Sequence, residues 1–203
     1  RAKKAIGKKR KPKREKKRPK RKYNLSEPTF FVLGQEPILQ VVSLDVAAAA
    51  AGKRHGDLFS ALAATCYSTV SAENISLAAG DFLRTQARPN GFDVHFVAVL
   101  IADGQYVGLA GFTFYRYAFR SQQNKGELYL AIFCVHELAR NKGFGGTFLR
   151  GAEALSDEWL RGRYNVPLSR IELHPMPRSR PFYARNGYKD DPEHPGDMVK
   201  SFD

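Results

Sequence analysis

From Leu128 to Val135 the chain is almost continuously apolar, LYLAIFCV, and the run stops at the polar pair His136-Glu137. A short run bounded in this way fits a buried strand. From Phe144 the period lengthens: Phe148, Ala152, Leu155 and Trp159 fall on one helical face, and Arg150, Asp157 and Arg161 are left to solvent. Upstream, Ile38 to Leu44 reads as a first strand, and Ala47 to Ala51 and Asp57 to Ala87 read as helix. Leu58, Leu62, Ala63 and Cys66 form one apolar face there, and a second helix start is expected at Ser71, with Glu73-Asn74 in its first turn. Arg88-Pro89-Asn90-Gly91 is a breaker. Phe92 to Ala102 and Tyr106 to Tyr117 are β-rich and meet at Asp103-Gly104, which favours a tight hairpin. Gly108 and Gly111 interrupt the second of these strands and point to a bulge or a close approach. The polar stretch from Ser121 to Gly126 leads into the apolar run, and beyond the long helix Arg170 to His174 reads as a short strand and Arg178 to Asn186 as a short helix. The pattern predicts the α/β (α+β) class: a mixed, mostly antiparallel central sheet with flanking helices, parallel only across the long helix. No internal repeat suggests a solenoid.

Between strand and helix lies Arg140-Asn141-Lys142-Gly143-Phe144-Gly145-Gly146-Thr147. The first amides of a helix have no intrahelical acceptor, and the helix dipole places roughly half a positive charge there, so an anion is favoured. Glycine allows that anion to approach the backbone. The string GxxxxGK[ST] of nucleoside-triphosphate loops is absent; Gly52-Lys53-Arg54 lacks both the earlier glycine and the hydroxyl residue. Gly143-Phe144-Gly145-Gly146 also has the wrong spacing for GxGxxG. Arg140-x-x-Gly143-x-Gly145 after an apolar strand resembles instead the [QR]xxGx[GA] motif of the GCN5-related N-acetyltransferases (GNAT). Downstream, Phe182-Tyr183-Ala184-Arg185-Asn186-Gly187-Tyr188 looks like the FYxxxG[FY] element of the same family. The resemblance covers Glu127 to Tyr188, with an earlier part from about Ile38.

That resemblance implies acetyl-CoA as co-substrate and an amine as acceptor. It implies that amides around Cys134, Val135 and His136 polarise the thioester carbonyl. It implies that amides from Lys142, Gly143, Phe144, Gly145, Gly146 and Thr147 hold the pyrophosphate, with help from the charges of Arg140 and Lys142. Tyr183 would give a proton to the departing thiolate, and Glu127 would be the general base, with Glu172 and His174 as rivals. Tyr129 stands where one histone-acetylating branch places its glutamate. Met176 replaces the asparagine that many relatives carry seven residues before the tyrosine, a departure that suits a degenerate, non-catalytic member.

Charge divides the chain. Residues 1–22 hold fifteen of the 33 Lys/Arg against Glu15, a net +14, so the remainder carries eighteen bases against nineteen acids, a net −1, and all of the chain's excess positive charge lies in this segment. With Ile6 as its one sizeable apolar residue, and with Pro12 and Pro19, the segment is expected to be disordered when free. It reads as a handle for nucleic acid or nucleoprotein and as a nuclear-localisation cluster. The bland alternative is a solubilising or appended extension. The chain opens at Arg1 without methionine, as a processed or truncated chain would. Residues 23–37 read as a linker and 38–203 as the transferase-like domain. A nuclear location is favoured, with a nucleoprotein particle such as a ribosome or virion as the alternative. No apolar run reaches membrane-span length, so no membrane partner is expected. Two cysteines, Cys66 and Cys134, are too few and too distant for a disulfide framework or a zinc site, which suits a reducing compartment. Cys134 is expected as a small core residue, and no motif around Cys66 supports a Cys/His protease. No metal is expected. The rival to an enzyme is a transferase-like domain recruited as a structural part of a nucleoprotein or viral particle.

Overall fold

The computed structural model describes residues 37–66, 93–115 and 126–202, all within one compact unit, Val32–Asp203. The basic segment, nearly all of the linker, the helix and breaker expected over 67–91, the end of the second hairpin strand at 116–117 and the polar stretch at 121–125 lie outside the described residues.

Seven strands form one sheet in the order β1-β2-β3-β4-β5-β7-β6. They are β1 (Leu39–Ser43), β2 (Asp93–Ala102), β3 (Gln105–Tyr115), β4 (Gly126–Val135), β5 (Leu168–Leu173), β6 (Lys189–Asp190) and β7 (Met198–Ser201). Every pairing is antiparallel except β4 with β5. The helices are α1 (Leu44–Ala51), α2 (His55–Cys66), α3 (Phe144–Tyr164) and the short α4 (Arg180–Arg185). This is the predicted mixed, mostly antiparallel architecture with its one parallel step across α3. Among the described residues no helix is long and apolar enough to cross a membrane.

Local chemistry sets the boundaries. The β2–β3 turn has Asp103 at φ 48° and Gly104 at φ 73°, the two positive angles a twisted two-residue hairpin requires. Asp103 also accepts from the Ile38 amide at 2.9 Å, which ties the turn to the start of β1. Ser43 caps α1 by accepting from the Val46 amide, and Gly52 ends it at φ 59°. Leu44 therefore opens a helix rather than closing the first strand.

The sheet has a core on each face. On one, Leu44, Leu58, Phe59 and Leu62 of α1 and α2 pack on Val97, Val99, Leu109 and Cys134. On the other, Phe96 and Phe114 meet Trp159 of α3 and Phe133 stacks on Phe148 at 5.3 Å. A bulge decides which residues of β4 face which core. Phe112 lies opposite Leu130 and Gly111 opposite Ile132, so Ala131 has no partner on β3. The extra residue reverses the alternation, and Phe133 joins Leu128 and Leu130 on the α3 side. The expected irregularity near Gly108 and Gly111 is present, but what approaches Gly108 is protein: a Cβ there would lie 2.9 Å from both Leu100 Cβ and Phe148 Cε1.

Three expectations are corrected. The inward stripe of α3 is Phe148, Leu149, Ala152, Glu153, Ser156 and Leu160, while Leu155 and Trp159 are half-buried. Glu153 faces inward because Lys200 Nζ, at 2.6 Å, and the Tyr188 hydroxyl, at 3.0 Å, both donate to it. Asp157 is half-buried rather than solvated; its carboxylate accepts from the Leu168 amide at 2.7 Å and from Arg161 Nε at 2.8 Å. Burial alone would push its pKa up, but these two bonds hold it below the ordinary value. Cys134 is buried as expected but is disulfide-bonded, so it is not a reduced thiol.

Candidate functional site

The parallel pairing of β4 with β5 ends early. It runs from Gly126↔Leu168 through Glu127↔Arg170 and Leu128↔Ile171 to Tyr129↔Glu172 and goes no further, although β4 continues to Val135. From Leu130 onward this side of β4 has no strand partner among the described residues, and the two strands part like the arms of a fork. The His136 amide donates to Val107 O at 2.8 Å, so β-alternation turns the Cys134 and Ile132 amides toward β3 and the Val135 and Phe133 amides toward the open edge. Of the three amides expected from sequence, only that of Val135 faces the fork. Phe133, which sequence reasoning missed, presents the other.

Beside this edge α3 begins. Its N-cap is Gly143 at φ 80°, a left-handed conformation that disfavours any side chain, and no side chain caps the first turn. The amides of Phe144, Gly145, Gly146 and Thr147 stand in that first turn, where the dipole favours an anion. Lys142 and Thr147 are exposed beside it. Arg140 braces the turn: its Nε donates to Val135 O at 2.8 Å, on the fork side of β4. Gly145 has a further reason to be glycine, since a Cβ there would stand 3.1 Å from Phe182 Cε2. α4 thus packs directly against the start of α3.

α4 carries Tyr183, which is 8 % exposed. Its ring lies edge-on to Phe133 at 6.2 Å, to Phe182 at 5.1 Å and to Tyr188 at 5.6 Å. Phe133 is therefore shared: its ring touches α3 and α4, and its amide faces the fork. The Tyr188 hydroxyl is turned to Glu153 Oε1, to which it donates at 3.0 Å, and burial first and then Glu153 drive its pKa far above the ordinary phenol value.

On the sheet face opposite α3, polar groups gather where the strands part. Glu127, Tyr129, Arg170 and Glu172 line a cavity of about 210 Å³. Glu127 sits within the closed, paired part, level with Arg170, and Glu172 sits at the vertex, level with Tyr129. Burial raises the Glu172 carboxyl even though His194 and Arg170 pull it down, and burial followed by Asp197 raises the Tyr129 phenol. Asp191 accepts from the Glu193 amide at 2.9 Å, from Arg170 at 2.6 Å and from His194 at 3.1 Å. These contacts, the amide foremost, hold its carboxyl below the usual range. Glu172, Asp191 and His194 bring donor atoms within 4.8 Å of one another, but Arg170 already supplies the cation, and the group is an ion-pair network. Just past the vertex, His174 Nδ1 meets Asp197 Oδ1 at 2.5 Å. Nothing in the polar segment from Asp190 to Asp197 had marked it as part of a site. Met176 is 59 % exposed between Pro175 and Pro177.

Comparison with known proteins agrees with this geometry. The model of the acetyltransferase (GNAT) family matches residues 60–188. Among solved structures, Tetrahymena GCN5 superposes with a TM-score of 0.51 at 9 % identity, covering 82 % of this chain and 96 % of the other. An aminoglycoside 6'-N-acetyltransferase complexed with coenzyme A gives 0.51 at 12 % identity, over 80 % of this chain and 96 % of the other. A bacterial toxin gives 0.52 at 16 % identity, over 82 % and 92 %. No curated protein matches the chain in sequence. With the matched region spanning more than half of its length, from α2 through the fork and the glycine turn to Tyr188, the chain belongs to the acetyltransferase (GNAT) family.

Proposed function

We propose that the chain is an acetyl-CoA-dependent N-acetyltransferase acting on a primary amine, a protein lysine or another amine, and that residues 1–22 tether it to nucleic acid or nucleoprotein. The observation that carries the catalytic part is the fork: outward amides of Phe133 and Val135 lie alongside the uncapped start of α3. A thioester in the fork would have its carbonyl oxygen polarised by those amides as charge develops. The pyrophosphate of the same molecule would meet the α3 amides, with Lys142 at the rim. Tyr183 would return a proton to the leaving thiolate. Glu127, placed in the closed part of the β4–β5 pair, is the least favoured of the base candidates. The tether rests on charge: fifteen basic residues in 1–22 precede a remainder that is nearly neutral.

A second reading, a non-catalytic recruit in a nucleoprotein or viral particle, is favoured by Met176 in the place where many relatives carry asparagine. One set of measurements separates the two: calorimetric titration with acetyl-CoA, followed by thiol release in the presence of primary amines. Binding with turnover supports the enzyme, and binding without turnover supports the recruit. Absence of binding refutes the fork as a CoA site. Tyr183→Phe keeps the ring and is expected to slow turnover by about 10- to 10⁴-fold while CoA affinity is retained. Removing residues 1–22 is expected to abolish a salt-sensitive affinity for duplex DNA or RNA without lowering transfer to a small amine.

A further inference from the structure

We propose that His174, held by Asp197, takes the proton from the acceptor amine; this rests on the acetyl-transfer reading and names the base for it. Position is the first argument. On β5 the residues facing away from α3 are Arg170 and Glu172, and His174 follows directly after the last residue of the strand, Leu173, where it meets Asp197. At roughly 3.3 Å per residue, His174 stands about 6–7 Å beyond the vertex, toward the level of the outward Phe133 amide. Glu127 is on the closed side of the vertex, and Glu172 at the vertex is engaged by Arg170 and His194, each at 3.6 Å.

Chemistry is the second argument. With Nδ1 against the Asp197 carboxylate at 2.5 Å, the neutral imidazole is fixed with its hydrogen on Nδ1, donated to Asp197, and its lone pair on Nε2. The ring is two-thirds exposed, whereas Asp197 is largely covered. The carboxylate is therefore the fixed partner and the imidazole the reachable one.

Rigidity is the third. Asp197 immediately precedes β7, which pairs with β5 at Leu173↔Met198. The Asp197 amide donates to His194 O at 3.0 Å, and its carbonyl accepts from the Asp191 amide at 3.1 Å. Gly196, at φ 104°, would bring a Cβ to 3.4 Å from His174 Cε1, so the loop is pressed close against the ring. Gly196 O accepts from Arg180 Nη1 at 2.8 Å, which links this loop to the helix that carries Tyr183. From β4, Tyr129 approaches the backbone N–H of His174. The charged and titratable groups around the imidazole are thus Asp197, Glu172, Tyr129, His194 and Arg180.

The protons balance. The acceptor arrives as R–NH₃⁺ and Nε2 of His174 takes one proton. The nitrogen lone pair forms the C–N bond to the thioester carbon, and the C–S bond breaks with its electron pair going to sulfur. A second amine proton passes to solvent as the amide forms, the thiolate becomes a thiol with the proton given by Tyr183, and Tyr183 takes a proton back from solvent. His174 releases its own proton to solvent, and the amide keeps the third hydrogen.

The test uses the full chain with acetyl-CoA, spermidine and a lysine-rich peptide as acceptors. Thiol release is followed from pH 6 to pH 9.5, and acetyl-CoA affinity is measured by calorimetry. His174→Gln is expected to lower kcat/KM for the amine by about 10²- to 10³-fold near pH 7 with acetyl-CoA affinity unchanged. The deficit should shrink toward pH 9.5, where more of the amine is already neutral. Asp197→Asn should give a smaller loss of the same pH form. Turnover and pH profile in His174→Gln matching the wild type would overturn this assignment and leave acetyl transfer standing. A wild type that binds no acetyl-CoA, or that binds it and modifies neither acceptor, would overturn both.

Discussion

β4 is one strand with two lives. From Gly126 to Tyr129 it pairs with β5, and at Leu128 and Tyr129 with β3 as well; from Leu130 to Val135 it pairs with β3 alone. In the closed half the strand is held by β5 and, at Leu128 and Tyr129, by β3; Leu128 serves the core, while Glu127 and Tyr129 line the polar cavity. In the open half the same apolar sequence leaves the amides of Phe133 and Val135 facing outward, and its side chains anchor α3 and α4 through Phe133. The change falls at the Ala131 bulge. An edge with outward amides therefore needs no special residues of its own; it needs a strand whose neighbour leaves and a bulge that keeps side chains such as Phe133 against the helices after the neighbour has gone.

The open half breaks most completely at the turn beside it. Gly143→Glu should weaken acetyl-CoA binding by about 100-fold or more, close to 3 kcal/mol, since a carboxylate then stands where the anion would sit. Gly143→Ala is the matched control. Both variants carry the strain of φ 80°, about 1–2 kcal/mol of stability by denaturant melting, but only Glu adds the charge. Equal loss of binding in the two would assign the effect to backbone strain and remove the electrostatic argument.

The closed half is tested by Gly126→Ala. The new Cβ would stand 1.9 Å from Pro167 O, so the backbone there must shift, and this should cost about 1–3 kcal/mol of stability while leaving acetyl-CoA affinity in the folded protein near wild type. A large loss of affinity would mean that the halves are not separable.

The smallest effect concerns the polar network at the vertex. Asp191 raises the pKa of His194 above 6.5, so the stability this gives is complete below that value and fades as pH rises through the folded pKa. Asp191 is held below 3.8, so its contribution is present above that value and is lost as pH falls through the folded pKa. His194→Gln should accordingly lower Tm by about 1–2 °C between pH 4 and pH 6.5 and by less at pH 9. A deficit that grew with pH would reverse the assignment.

The parts legible in the sequence were those set by neighbouring residues. The strand before Gly143, the glycine turn, the start of α3 and the Asp103-Gly104 hairpin all announce themselves within a few positions. The fork does not, because it depends on where β5 stops pairing, and no local pattern in Leu168–Leu173 records that. Phe133 was missed because LYLAIFCV is apolar at nearly every position, so a reversal of alternation at Ala131 leaves no trace in it. Glu153 was missed because its partners, Tyr188 and Lys200, come from the far end of the chain. β6 and β7 are short and largely polar, which hid both the sheet edge and Asp197.

We propose that the open half of β4 and the start of α3 together receive the acyl donor. Backbone amide NMR of the full chain, titrated with acetyl-CoA, should then show the amides of Phe133, Val135 and Gly145 to Thr147 shifting and gaining protection from exchange, while those of Leu128 to Leu130 stay in place. Binding that left these amides unmoved and shifted residues around the cavity of about 310 Å³ lined by Arg150, Asp157, Arg161 and Phe202 would contradict it.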